Sequence, residues 1–274
     1  MSSRQQQRQQ ERALGKRGEA AISAGLPQTP QKDDIVAVAF VLARTLRDAK
    51  EPRRASRAAA EMHALTEAST RRTPGMVKLA CAKGCGYCCH TWVGATAPEA
   101  LLLASVIRAD AARRPGLVDA IVAGSRPLAG LTAAQRFGAK LPCPLLVDGA
   151  CSRYRERPAM CRQATSLDLA GCLDEFEGKG LGGEIPVSAV YLAHTRNSRV
   201  PLVAALRLAG LDARTYELSA ALARALENEE AEARWLAGED VFAGIAQGAA
   251  EVAAAEQAIT AILGQLSGLQ RDRP

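Results

Sequence analysis

All eight cysteines of this 274-residue chain lie between residues 81 and 172. Cysteines that act only as small hydrophobic core residues would instead be spread over the helices of the whole chain. Any fold must therefore arrange one short segment around a group of thiols. The cysteines follow two patterns, a compact Cys81-x3-Cys85-x2-Cys88-Cys89 group and four at wider spacing, Cys143, Cys151, Cys161 and Cys172.

Disulfide bonds and metal binding are the two roles that explain such a concentration of thiols. Residues 1–7 (MSSRQQQ) contain no apolar signal core, so we expect a cytoplasmic protein, and disulfides are disfavoured in that compartment. The adjacent Cys88 and Cys89 are also awkward for a disulfide framework. Ligation of a soft metal by thiolates is therefore the favoured role.

The choice between zinc and iron depends on the spacing. Structural zinc usually uses pairs of C-x2-C sequences, and only Cys85 and Cys88 have that spacing here. Four closely spaced cysteines with Gly84 and Gly86 suit an iron–sulfur cluster, because glycine lets the backbone approach a cluster closely. We therefore favour an iron–sulfur cluster and keep zinc as the second possibility. Residues 81–88 also fit the radical-SAM pattern, but the flanking sequence lacks the alternating strands and helices of that class.

The residues around the cysteines resemble the YkgJ-type cysteine-cluster proteins. The resemblance rests on CxxxCxxCC at 81–89, CPLL at 143–146, DGACSRY at 148–154 and RPxxCR at 157–162, and it covers about residues 76–175. That family is described as zinc- or iron-chelating, with its eight cysteines as the metal site. The resemblance implies that the metal ligands are Cys81, Cys85, Cys88, Cys89, Cys143, Cys151, Cys161 and Cys172. A metal motif alone transfers no activity.

The composition favours helices. Hydrophobic residues make up 48% of the chain but aromatic residues only 4%, and alanine and leucine are abundant. We predict a mainly α fold, in which a helical bundle surrounds an irregular, cysteine-rich metal-binding segment with at most a short β-hairpin. The hairpin is predicted where the apolar residues 145–147 meet the turn residues Asp148 and Gly149.

Four regions are expected along the chain: a disordered basic arm at 1–32, N-terminal helices at 33–75, the cysteine-cluster metal-binding core at 76–180, and a C-terminal helical region at 181–274 that packs on the core. Residues 1–75 contain 14 basic and 8 acidic residues, so their net charge of +6 equals that of the whole chain. No aromatic residues alternate with the basic ones, which disfavours nucleic acid as a partner. No apolar run reaches the roughly 20 residues that span a bilayer, so we expect no membrane association.

Several polar residues accompany the cysteines. Tyr154, Arg157 and Arg162 lie between them and are candidates for positioning the ligands by hydrogen bonds and charge. For His90 we expect a supporting or surface role, and for His63 and His194 a surface position.

The sequence identifies no catalytic residue and no binding site for an organic cofactor, and it leaves open whether the protein is an enzyme. We expect a metal-binding protein with a redox or protein-modifying role, acting on an unidentified protein partner or substrate. The alternative is a non-enzymatic, zinc-stabilised interaction module, in which the metal only holds the loops together.

Overall fold

The computed structural model describes residues 3–73, 78–82, 84–179, 185–248 and 255–270. The protein is 62% helical, and its strands form two short antiparallel pairs, so the predicted mainly α fold is confirmed. No helix in these ranges is both long and apolar enough to cross a membrane.

The secondary structure alternates short loops with helices of very different length. The helices are α1 (Ser3–Ala24), α2 (Lys32–Arg47), α3 (Arg54–Arg72), α4 (Ala97–Ala111), α5 (Leu117–Ser125), α6 (Ala133–Gly138), α7 (Ala159–Gln163), α8 (Leu169–Glu177), α9 (Ala189–Leu208), α10 (Leu218–Glu227), α11 (Ala231–Leu236) and α12 (Glu256–Gln270). Short 3₁₀ helices lie at Tyr87–His90 and Arg126–Leu128, and the strands are β1 (Gly94–Thr96), β2 (Leu146–Val147), β3 (Ala150–Cys151) and β4 (Thr215–Glu217).

The chain forms two compact units whose segments alternate along the sequence. The helical unit comprises residues 1–76, 193–213 and 249–274, and the cysteine unit comprises residues 77–192 and 214–248. This division differs from the four consecutive regions expected from the sequence, because the expected C-terminal region contributes to both units. Composition along a chain does not reveal which distant helices share a core.

The helical unit is built on apolar faces of long helices. Side chains from α2, α9 and α12 meet in one buried cluster, which includes Val36, Val203 and Ile262. The side chain of Met62 on α3 is also fully buried. Burial of such side chains stabilises the fold by about 1.5–3 kcal/mol each, so this unit has an ordinary hydrophobic core.

Helix α1 occupies the arm that was expected to be disordered. Gly18 is buried against α2, where an added Cβ would lie 2.3 Å from the carbonyl oxygen of Ala37. The glycine therefore lets the two backbones approach closely. Arg17 also pairs with Asp34 at 2.8 Å. The expectation of disorder was wrong because it considered the Gln- and Arg-rich composition and not the position of the small residues.

The cysteine unit has a small apolar core of its own. Helices α4 and α10 pack together, and β1 pairs antiparallel with β4, with Gly94 opposite Glu217. A capping box starts α4, since the Glu99 carboxylate accepts hydrogen bonds from the Thr96 N–H and hydroxyl, both at 2.8 Å. The sequence Thr96-Ala-Pro-Glu99 thus fixes where this helix begins.

The predicted β-hairpin is confirmed. Strands β2 and β3 pair antiparallel, with Leu146 opposite Cys151. Both turn residues have positive φ, 49° at Asp148 and 72° at Gly149. Positive φ at both central residues is the signature of the tight turn that matches the twist of two strands. The hairpin therefore places Cys151 on a defined strand.

Candidate metal centre

The eight cysteines lie in loops, on a 3₁₀ helix, on a strand and on two α-helices of the cysteine unit, and all are free thiols. Cys81 and Cys85 lie in loops, Cys88 and Cys89 on the 3₁₀ helix Tyr87–His90, Cys143 before β2, Cys151 on β3, Cys161 on α7 and Cys172 on α8. The residues Cys81 and Cys88 are exposed, and the other six are half-buried. The expectation that they are not a disulfide framework agrees with this structure.

Backbone contacts bring the compact cysteine group against the hairpin. The Cys143 N–H donates to the carbonyl oxygen of Cys89 at 2.8 Å. An added Cβ on Gly86 would lie 3.0 Å from a methyl group of Leu146, so the loop approaches the hairpin closely at this glycine. Cys89, Cys143 and Cys151 therefore come from distant parts of the chain to neighbouring positions.

Three sulfurs accept a hydrogen bond from the backbone N–H two residues later in the chain. The donors are Tyr87 for Cys85, Leu145 for Cys143 and Arg153 for Cys151. Burial raises the pKa of each of these thiols, to about 11 for Cys143, and the N–H groups act in the opposite direction. Backbone N–H groups directed at sulfur stabilise the thiolate form, which is the form that binds metals.

Cys88 and Cys89 are coupled through a direct hydrogen bond. The pKa of Cys88 is lowered to about 6: donation from the Cys89 thiol lowers it most, burial raises it, and the positive charge of Arg157 lowers it. The same hydrogen bond raises the pKa of Cys89 far above its ordinary value. At neutral pH the structure therefore favours a thiolate at Cys88 with the proton on Cys89.

The remaining sulfurs fall into two overlapping sets of neighbours. Burial is the largest cause that raises the pKa of Cys85. The charges of Cys81, Cys88 and Cys172 raise it further by smaller amounts. Burial likewise raises the pKa of Cys161, and its sulfur neighbours are Cys143, Cys151 and Cys88. The sulfur neighbours that raise the pKa of Cys89 are Cys88, Cys143 and Cys151. Cys88 belongs to both sets.

Cys81 and Cys172 are held by residues outside the compact group. The Ser166 N–H donates to the Cys81 sulfur at 3.3 Å, and the Ala80 N–H donates to the Ser166 carbonyl oxygen at 2.9 Å. Cys172 is one turn before Phe176 on α8. The Phe176 ring lies 5.3 Å from the ring of Tyr87 and 4.7 Å from that of His90, so it packs α8 against the 3₁₀ helix.

The predicted positioning residues lie close to the sulfurs. The Arg157 guanidinium stacks on the Tyr154 ring at 3.9 Å, and its Nε is buried without a hydrogen-bond partner. Its positive charge contributes to the lowered pKa of Cys88. At Cys151 and Cys161 the same charge opposes burial, which raises the pKa of both thiols. Arg162 donates to the carbonyl oxygens of Arg157 and Arg155, so it braces the loop before α7.

The histidines do not form part of a ligand set in this structure. The His90 Nδ1–H donates to the Gly86 carbonyl oxygen at 3.0 Å, so this residue braces the loop. The expected surface positions of His63 and His194 were wrong, since both side chains are buried. His194 lies 2.6 Å from the Thr73 hydroxyl within the helical unit. Their burial follows from the apolar faces of α3 and α9.

Three polar links, two of them buried and one part-buried, were not found from the sequence. The Glu99 carboxylate accepts from the Ala159 N–H at 2.7 Å and so fixes the start of α7, which carries Cys161. Arg136 pairs with Glu217 at 2.8 Å, with both side chains almost fully buried. Arg153 pairs with Asp110 at 2.7 Å. Only the first had a sequence signal, the Thr96-x-x-Glu99 capping pattern; the pairings across the fold had none.

The donor set fits a soft metal. Thiolates are ligands for zinc and for iron–sulfur clusters, and backbone N–H groups and Arg157 supply partial or full positive charge beside them. Among the described residues, no three His, Cys, Asp or Glu side chains already form a complete ligand arrangement. The thiols are neighbours, and metal binding requires their side chains to converge further.

Comparison with known proteins agrees with this assignment. Residues 80–177 match the family model CxxCxxCC, described as a "putative zinc- or iron-chelating domain". The chain is similar to that family over this segment. The match begins one residue before Cys81 and ends one residue after Phe176, so it contains all eight cysteines. No curated protein and no solved structure matches the chain.

Proposed function

We propose that the cysteine unit binds an iron–sulfur cluster and uses it for electron transfer or for the modification of a protein partner. The observation that carries this proposal is the compact group of Cys81, Cys85, Cys88 and Cys89. It combines two exposed residues, Cys81 and Cys88, a lowered pKa at Cys88, and a glycine-containing loop. Exposure of part of a cluster site suits exchange of electrons with a partner, and N–H donors to sulfur tune the reduction potential of such clusters.

A bound cluster would supply one-electron chemistry, and the residues of the chain would hold and tune it. Tyr87 and Leu145 direct N–H groups at sulfurs, and the guanidinium of Arg157 offsets negative charge. The Phe176 ring packs on Tyr87 and His90 and so holds α8 beside the 3₁₀ helix. In this proposal the protein acts in the reducing cytoplasm.

The second candidate is a non-enzymatic, zinc-stabilised interaction module. The observation that favours it is the set of half-buried sulfurs on the hairpin and α7, which come from separate elements and so would tie them together. Structural zinc sites are closed and four-coordinate, and they stabilise folds in this way. The helices would then present a surface to a protein partner.

Anaerobic purification of the full chain, followed by measurement of iron, sulfide and zinc per chain, tests the proposal. We expect brown protein with a broad visible absorption that is bleached by reductant, as for a thiolate-bound cluster. Protein that is colourless and holds zinc alone would support the interaction module. Protein that binds neither metal, even after reconstitution, would contradict both.

A further inference from the structure

We infer that the eight cysteines form two separate four-thiolate sites. The inner site consists of Cys89, Cys143, Cys151 and Cys161, and the outer site of Cys81, Cys85, Cys88 and Cys172. This inference rests on the proposed metal binding and adds how the ligands are divided and what each site holds. A single site with spare cysteines is the alternative that the experiment below separates from it.

The inner four are joined by backbone hydrogen bonds and by the hairpin. The Cys143 N–H donates to the Cys89 carbonyl oxygen, and the hairpin register places Cys151 opposite Leu146. Helix α7, which carries Cys161, is held by the bond from the Ala159 N–H to the buried Glu99 carboxylate. All four residues are half-buried. Cys143 and Cys151 raise the pKa of both Cys89 and Cys161, so these two thiols are neighbours of each of the other two.

The outer four are joined by looser contacts at the exposed side. Cys81 is held by the Ser166 N–H, and Cys172 reaches the compact group because Phe176, one turn later on the same helix, packs on Tyr87 and His90. The sulfur neighbours of Cys85 are the other three members of this set. Two of the four residues, Cys81 and Cys88, are exposed.

The boundary between the sites falls between two consecutive residues. Cys88 completes a C-x2-C spacing with Cys85 and is exposed, whereas Cys89 is half-buried and bonded through its backbone to Cys143. Cys88 also raises the pKa of Cys89, Cys151 and Cys161 in the inner set, because it lies next to Cys89 in the chain.

The two environments suit different metal chemistry. The inner sulfurs come from four separate elements and belong to half-buried residues, which suits a structural zinc site with no open coordination position. The outer sulfurs come mostly from one short loop and are partly exposed, as in an iron–sulfur cluster that exchanges electrons. We therefore assign zinc to the inner site and the cluster of the proposed function to the outer site.

Serine substitution of the two adjacent cysteines provides a matched test. Cys88→Ser, Cys89→Ser and the double variant are titrated with zinc after removal of all metal from the full chain. We expect about two tightly bound zinc ions for the wild type and about one for each single variant, with almost none for the double variant. In anaerobically purified protein, Cys88→Ser should lose iron and keep zinc, and Cys89→Ser should show the opposite loss.

The outcomes separate the inference from the proposed function. A double variant that binds as much zinc as either single variant would show one shared site and overturn the division. Loss of iron in Cys89→Ser with retention in Cys88→Ser would overturn the assignment of metals to the sites. A wild type that binds zinc tightly in two equivalents but never takes up iron would leave the division standing and contradict the cluster of the proposed function.

Discussion

The helical unit and the cysteine-bearing loops are held together by different means. In the helical unit, long helices bury apolar side chains such as Val36, Met62 and Val203. We define the cysteine loops as residues 78–93 and 141–179. Among their described residues, the buried apolar ones are Leu145, Pro158 and Ala159. Helix α8 within these loops has no buried residue.

This difference indicates where the stability of each region comes from. Loops that bury so little apolar area cannot offset the entropy of ordering their backbone from hydrophobic burial alone. Polar links such as Arg153–Asp110 and Glu99 to Ala159 supply part of the remainder. Metal binding would supply the rest, whereas the helical unit needs none. The helical unit also carries a positive net charge: its 19 basic and 12 acidic residues give a net charge of +7.

Removal of metal should therefore have the largest effect on the molecule, and only in one region. With a strong chelator we expect residues 78–93 and 141–179 to lose their protection against amide hydrogen exchange. The free energy of binding a structural zinc ion, about 10–16 kcal/mol, stabilises the folded loops and is lost when the metal is removed. Peptides from α2 and α3 should keep their protection. Hydrogen-exchange mass spectrometry of the full chain measures both.

Two outcomes would contradict the comparison. Equal loss of protection in α2 and α3 would show that the helical unit also depends on metal. Unchanged protection of the cysteine loops in fully metal-free protein would show that the polar links alone hold them. Both tryptophans, Trp92 and Trp235, lie in the cysteine unit, so their fluorescence gives an independent reading of that unit.

The buried ion pair between Arg136 and Glu217 should have the next largest effect. In Arg136→Met the Glu217 carboxylate loses its charged partner at a buried position, and we expect the cysteine unit to be destabilised by about 3–5 kcal/mol. Urea unfolding followed by tryptophan fluorescence measures this change. Glu217 also caps α10 by accepting from the N–H groups of Ser219 and Ala220.

A second substitution and an exposed pair serve as controls. Adding Glu217→Gln to Arg136→Met removes the unpaired charge but keeps an oxygen for the cap, so most of the lost stability should return. Arg44→Ala breaks the exposed pair with Glu19 in the helical unit, where we expect less than about 1 kcal/mol. Because both tryptophans lie in the cysteine unit, unfolding of this variant is followed by circular dichroism. A similar small effect of Arg136→Met would show that the buried pair contributes little.

The same comparison explains what could be predicted from the sequence. Local signals were reliable in the cysteine unit: Asp148-Gly149 predicted the hairpin, and the cysteine spacing predicted the family match. Each depends on residues close together in the chain. The sequence also predicted the mainly α fold, because alanine and leucine content is a property of the whole chain.

Contacts between distant residues were not predictable in this way. No local pattern tells that Arg136 meets Glu217 or that Ser166 donates to Cys81. The order of α1 was missed because its packing depends on a glycine facing α2 rather than on an apolar stripe. The assignment of all eight cysteines as metal ligands remains a prediction, which the serine variants address.

Phe176 should have the smallest effect of the three and acts on the outer site alone. Its ring packs α8 on Tyr87 and His90, and we expect Phe176→Ala to misplace Cys172 and weaken retention of the outer metal about 10- to 100-fold, as when a supporting residue of a metal ligand is removed. Iron content and visible absorption after anaerobic gel filtration measure the loss. Phe176→Tyr keeps the ring and should retain the metal, and inner-site zinc should be unchanged in both variants. Loss of zinc together with iron in Phe176→Ala would indicate general unfolding of the cysteine loops, and would contradict a role for Phe176 in positioning one ligand.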